Sequence, residues 1–234
     1  MPRNVAAGIT LPKAPPRDQM PLTIEQAFTL IDAPASHRLG ALVAVGLDTG
    51  ARPGELFGLQ WPDIDLDAGK IKFRRSLEER KGQLRLKELK TRSSRRTLPI
   101  MQTTIEALRL HRETAIAEGR DVKSGQLFTA SRGGLLRVSN FGRIQFRPWT
   151  VAAGVPAIRV CDLRHTMATL LLQAGVNVKV VSERLGHTNI TTTLQNYVHV
   201  MAGMQEAATA TMAKLMNDSR TAHAARTAGQ REEP

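Results

Sequence analysis

The chain has 234 residues, 33 Lys and Arg against 21 Asp and Glu, a formal net charge of +12 and a single Cys. That length supplies ample core for independent folding, and an apolar-plus-glycine share of about 48 % excludes disorder over most of it. One Cys excludes an intrachain disulfide framework and fits a reducing cytosol, no apolar run reaches the roughly 20 residues of a membrane span, and the excess positive charge points to a polyanionic partner.

Residues 1–21, with Pro12, Pro15, Pro16 and Pro21, read as an extended lead-in or interdomain linker without the apolar stretch of a signal peptide. Thr23 with Gln26 forms a capping box that opens a short helix toward Ile31. The apolar stretch Leu39 to Leu47 ends at the turn Asp48-Thr49-Gly50, and Pro53 sits at the first position of a further short helix through Leu59. Residues 61–69 are turn-rich, Ile71 to Leu86 alternates like strand around Lys81-Gly82, and another strand ends at Leu98-Pro99-Ile100. Thr103 with Glu106 reads as a second capping box for a helix that Gly119 stops. Beyond it, helical segments begin near Ser139, Asp162, Asn177 and Asn189 and stop near Gly154, Gly175 and Gly186. Met204, Ala208, Met212, Leu215 and Met216 make an apolar stripe at helical spacing, as a core helix does. The expectation is one domain over 22–216, mainly α with a small antiparallel β-sheet (α+β), and a disordered tail over 217–234.

Charge is concentrated. Between Lys70 and Arg96, 12 Lys and Arg face three acids, so 27 residues carry +9 of the chain's +12. Counterion release rewards clustered cations along phosphate, so Arg74, Arg75, Arg92, Arg95 and Arg96 are the candidate DNA-binding residues. Aromatic residues make up only 4 %, which argues against a single-strand binder built on stacking and for a duplex backbone.

Four patterns stand in order: TGARPGEL (49–56), LKTRSSRRTLPI (89–100), CDLRHT (161–166) and LGHTNITTTLQNYVHV (185–200). Taken singly they read as a turn with a solvated Arg, a surface Lys, a helix start and a capped or core His. Together, in this order and spacing, they resemble the catalytic domain of tyrosine recombinases, the phage-type integrases. The resemblance covers about Leu22 to Met216.

The resemblance implies that Arg52 and Arg164 clamp a scissile phosphate and that Lys90, at a hairpin tip, protonates the leaving 5′ oxygen. His187 would hydrogen-bond the phosphate or take the nucleophile's proton, and Tyr197 would attack. The chemistry fits these residue types. Phosphoryl transfer needs preorganised cations, and Arg offers a planar fork of donors. A phenol with a free pKa of about 10 needs help losing its proton and yields a covalent phosphoryl-enzyme. Tyr197 is the only Tyr. Cys161 stands where the family usually has the histidine of its HxxR box, and a thiol is a weaker donor than imidazole, so slower chemistry is expected. His165 is expected to point elsewhere on the helix, and Glu55 to support Arg52 or its helix.

No acidic cluster or His/Cys grouping has metal-ligand spacing, so neither metal nor cofactor is expected. The resemblance further implies double-stranded DNA as partner and other copies of the chain assembled on it as a tetramer. It implies cytoplasmic, nucleoid-associated work and no membrane partner. Relatives usually carry a helical DNA-clamping domain ahead of the catalytic one. Here only the Pro-rich lead-in precedes Leu22, so weak affinity and specificity are expected. The leading reading is a site-specific recombinase acting through a 3′-phosphotyrosine. The alternatives are a catalytically silent DNA-binding remnant and a type IB topoisomerase-like enzyme.

Overall fold

The structure, a computed structural model, describes residues 21–91, 93–198 and 204–229. Thr23 opens α1 (Ile24–Asp32) with the expected capping box: its Oγ1 accepts from Gln26 N, and Gln26 Oε1 accepts from Thr23 N. The unbroken apolar run ALVAVG becomes α2 (Ala41–Thr49), every residue of which is buried. A helix apolar on all sides belongs at the centre of a fold, and α2 packs against α1, α3 (Pro53–Phe57), α4 (Gln102–Ala117) and α7 (Asp162–Gln173). Gly50 ends α2 in the left-handed region at φ 59°, which reverses the chain and turns its carbonyl toward α7.

Strands β1 (Ile64–Asp65), β2 (Lys70–Phe73) and β5 (Arg96–Pro99) form a three-stranded antiparallel sheet in the order β1-β2-β5. β3 (Arg75–Arg80) and β4 (Gln83–Glu88) form a separate hairpin. Its loop is Lys81-Gly82, both at positive φ, which matches the right-handed twist of two-residue hairpins. The strand pattern from Ile71 to Leu86 therefore divides at Arg74, whose carbonyl accepts from Leu89 N instead of joining the first sheet. The hairpin tip is Lys81-Gly82, and Lys90 lies beyond β4 on the connection to β5.

The second capping box does not form. α4 starts after Met101 with no side-chain cap, because Met101 N–H is taken by buried Asp48 Oδ2 at 2.7 Å. Glu106 instead accepts from Gln102 Nε2 at 3.1 Å. Asp48 also receives Arg184 at 2.7 Å, which ties the end of α2 to α8 (Val178–Leu185). Between α5 (Val138–Phe141) and α6 (Arg147–Ala152) the chain widens into a π-turn over Gly142–Phe146, with Arg147 N–H reaching back to Gly142 O. Pro148 lacks the N–H that a regular helix would direct at Ile144, so the widened turn absorbs the break.

The main core lies between α2, α3 and the first sheet, with Leu42, Val43, Phe57, Ile71, Phe73 and Phe141 fully buried. A second cluster joins Met167, Ala168, Leu172, Val181, Leu185 and Tyr197, from α7, α8 and α9 (Ile190–Tyr197). A last helix, α10 (Met204–Gly229), runs through 217, so the tail expected to be irregular is helical that far. Its Ala-rich composition favours helix by propensity. The lead-in 1–20 and residues 230–234 lie outside the described residues.

Candidate active site

The site is built on the first turn of α7. Asp162 accepts from the N–H and the guanidinium of Arg159 and fixes the entry to the helix. Arg164 and His165 follow, about 100° apart around the helix, so they serve two different directions. Arg164 is 8 % exposed, and its Nη1 donates to Gly50 O at 2.8 Å. Its Nη2 lies 2.7 Å from His187 Nε2. A guanidinium only donates, so His187 Nε2 accepts and the ring carries its proton on Nδ1, which donates to Thr193 Oγ1 at 2.8 Å. Burial, with Arg164, Arg52 and Arg96 nearby, pushes His187 down to about 4, so the ring is neutral at physiological pH.

Among the described residues no carboxylate forms an ion pair with Arg164. Burial, then the like charge of Arg52, lowers its pKa from the usual 12.5 to about 10, and it stays cationic at neutral pH. Arg52, at the start of α3, is 44 % exposed and donates through Nη1 to Glu55 Oε1 at 3.0 Å. Glu55 is buried at 1 % exposure and takes Arg96 Nη2 on its other oxygen at 2.9 Å. Burial alone would raise the Glu55 pKa, but its bonds to Arg96 and Arg52 prevail and hold it below 4.5. It is thus the structural acid expected, and it braces one wall of a cationic pocket.

Tyr197 ends α9, four residues after Thr193, so both point inward from one helix face. Its ring is 3 % exposed, and burial pushes its pKa up to about 12 while Arg164 pulls it back. Its hydroxyl lies 3.1 Å from His165 Nδ1. His165 points away from Arg164 as expected, and what it meets there is the hydroxyl of the tyrosine. Cys161 is half-buried, and its Sγ donates to Asp162 Oδ1 at 3.4 Å, away from Arg164. Burial, then Asp162, pushes the thiol pKa up.

The α8–α9 turn is held from outside by the β4–β5 connection. Gly186, at φ 67°, lets Ser93 O and Arg96 approach where a Cβ would sit at 2.9–3.1 Å, and Ser93 Oγ lies 3.0 Å from Thr188 Oγ1. Lys90 is exposed on the same connection. The basic candidates divide. Arg96 is buried over the Phe73 ring and bonded to Glu55 and Arg184 O, and Arg75 is paired with buried Asp63 at 2.7 Å. Both guanidiniums are thus engaged by carboxylates of the fold. Arg74 and Arg95 are exposed, and Arg92 lies outside the described residues. Among the described residues no group of three or more His, Cys, Asp or Glu could hold a metal. No helix among them is long and apolar enough to cross a membrane.

The profile of the phage integrase family matches residues 20–204. The chain belongs to that family. A tyrosine recombinase XerC-like protein of Caldanaerobacter subterraneus subsp. tengcongensis is 36 % identical over 194 residues, 76 % of this chain and 49 % of that protein. A XerC of Thermodesulfovibrio yellowstonii is 29 % identical over 85 % of this chain and 63 % of its own length. The chain thus spans about half to two thirds of the curated relatives. The crystal structure of XerA recombinase superposes with a TM-score of 0.61 and 28 % identity, over 79 % of this chain and 60 % of that one. The mainly helical integrase fold with small antiparallel sheets is the class expected from the sequence.

Glu55 couples stability to the pocket. Its lowered pKa means that its contribution is complete above the usual 4.5 and is lost as pH falls through the lower folded value. Glu55→Gln is expected to cost about 3–5 kcal/mol in urea unfolding at pH 7, because Arg96 is left buried and unpaired. The part of the wild-type acid sensitivity below pH 4.5 that belongs to Glu55 should disappear in the variant.

Proposed function

We propose that this chain is the catalytic part of a site-specific DNA recombinase that cuts and rejoins strands through a 3′-phosphotyrosine. The observation that carries the reading is Arg164: a buried guanidinium with no carboxylate partner among the described residues, beside a buried tyrosine. An unpaired buried charge is costly, and a phosphate diester supplies the missing anion.

In this reading Arg164 and Arg52 hold the nonbridging oxygens and offset the charge that develops at phosphorus. Tyr197 Oη attacks in line, the P–O5′ bond breaks, and the 3′ end stays on the protein while the 5′ hydroxyl departs. Lys90, on the β4–β5 connection beside the His187 turn, is the proposed proton donor to that oxygen. The phosphotyrosine keeps the energy of the broken linkage, so an incoming 5′ hydroxyl restores a diester without a nucleotide cofactor. His187 orients Arg164 and reaches the phosphate only by exchanging that bond.

Double-stranded DNA and further copies of the chain are the proposed partners, in a tetramer working on the nucleoid. Support for self-assembly comes from α10, where Met212, Leu215 and Met216 stand exposed. An apolar groove of about 430 Å³ between α1, α7 and α8, lined by Phe28, Leu171 and Val180, can receive such a stripe.

A pool of duplexes with random cores, each nicked so that the cleaved 5′ fragment diffuses away, tests the chemistry. Wild type should give a protein–DNA band on a denaturing gel, and Tyr197→Phe should give none while still shifting the same duplexes on a native gel. Absence of a wild-type adduct across the pool supports the silent-remnant alternative. An adduct that survives Tyr197→Phe removes the nucleophile assignment.

The exposed part of the basic block predicts the salt response. Replacing both Arg74 and Arg95 with Gln should flatten the log–log dependence of DNA affinity on salt by about 2, near 0.9 per phosphate contact. Base preference should stay unchanged, since phosphate contacts position rather than specify. A slope equal to wild type would move the phosphate contacts to another face.

A further inference from the structure

We propose that His165 is the base that accepts the proton of Tyr197 at Nδ1 during strand cleavage. The inference rests on the reading of Tyr197 as nucleophile and names the group that activates it.

Three side chains could take that proton, and the geometry leaves one. Cys161, at the position where the resemblance leads one to expect a histidine, is a thiol whose hydrogen is directed at Asp162 Oδ1. His187 has both nitrogens in use: Nε2 accepts from Arg164 and Nδ1–H donates to Thr193. His165 has Nδ1 3.1 Å from the phenol oxygen, within reach for direct transfer, with the ring centroids 5.9 Å apart. With its own proton on Nε2, His165 presents a lone pair to the Tyr197 hydroxyl.

The groups that face His165 suit the task. Asp162, on the same turn, favours the imidazolium that forms, while Arg164 and Arg159 oppose it and Tyr197 faces it from α9. Burial, which outweighs Asp162, keeps the imidazole pKa below its ordinary 6.5, so the ring is neutral and able to accept at physiological pH. During cleavage the Oη–H bond breaks, its proton goes to Nδ1, the Oη–P bond forms and the P–O5′ bond breaks. The leaving O5′ takes a separate proton from Lys90 or water. On rejoining, the 5′ hydroxyl gives its proton to Lys90 or water as it attacks phosphorus, Tyr197 leaves, and the imidazolium returns a proton to Oη. His165 would then supply from one residue past Arg164 what Cys161 cannot.

The test is single-turnover cleavage of a duplex recovered from the covalent selection, measured from pH 4.5 to 9 for wild type, His165→Asn and His165→Ala. The Asn amide lies near the place of Nδ1 and can hold the Tyr197 hydroxyl, but cannot take its proton. Wild type should speed up about tenfold per pH unit at acid pH and level off before the ordinary imidazole value of 6.5, because burial lowers that of His165. Both variants should be slower by about 10²-fold or more at pH 7 and keep accelerating beyond pH 8, where hydroxide replaces the base. Asn rescue of the Ala variant to near wild type would overturn the proposal and leave His165 a positioning residue. An acid limb that persists in both variants would overturn it too. If a variant does not fold, a wild-type rate that shows no acid limb anywhere from pH 4.5 to 7 overturns it by itself. Wild type without any adduct refutes the recombinase reading, whereas an adduct with unchanged variant profiles refutes only the role of His165.

Discussion

The architecture turns on a buried guanidinium, that of Arg164, which has no carboxylate paired with it among the described residues. Other arginines of the fold are paired: Arg96 with Glu55, Arg184 with Asp48, Arg75 with Asp63. Among the described residues, Arg164 has a backbone carbonyl and a neutral imidazole as its hydrogen-bond partners. Those partners fix its direction without cancelling its charge. The surrounding chain exists to hold them: Gly50 turns its carbonyl inward from the end of the fully buried α2, Gly186 starts the turn that carries His187, and Thr193 fixes the imidazole from α9. A charge kept in this condition costs stability, and binding an anion offsets that cost.

The same arrangement links strength to chemistry. Glu55 joins the exposed Arg52 to the buried Arg96, and Arg96 in turn bonds the carbonyl of Arg184 at the end of α8. One carboxylate therefore spans the pocket wall, the three-stranded sheet and the helix that leads to His187. Damage to it would loosen the fold and spread the cationic pocket at once. Tyr197 is similarly double in role, filling the apolar cluster of α7 and α8 while holding its hydroxyl on His165.

Much of this was legible in the sequence where the determinants are local. Thr23 and Gln26 cap α1, Pro53 starts α3, Lys81-Gly82 closes the hairpin, and Gly154, Gly175 and Gly186 stop helices. The order of Arg52, Arg164, His187 and Tyr197 carried the family resemblance, and the fold gathers Arg164, His187 and Tyr197 around α7 with Arg52 in electrostatic reach. What depended on distant partners was not legible. Arg96 looked like a surface cation because Glu55, 41 residues away, is what buries it. Met101 rather than Thr103 precedes α4 because Asp48, 53 residues earlier, takes its N–H. His165 was passed over because its partner Tyr197 lies 32 residues on, although an adjacent Arg-His pair on one helix turn, aimed two ways, was the available signal.

The central claim is that the charge of Arg164 is reserved for the phosphate that is cut. Replacing the scissile phosphate with an uncharged methylphosphonate removes the charge to be matched while leaving the linkage in place. On the natural diester, Arg164→Ala should slow covalent cleavage by about 10²-fold or more. On the methylphosphonate the gap between wild type and Arg164→Ala should shrink to a few-fold. An undiminished gap on the neutral linkage would contradict the account, because Arg164 would then act through the structure of the site and not through its charge.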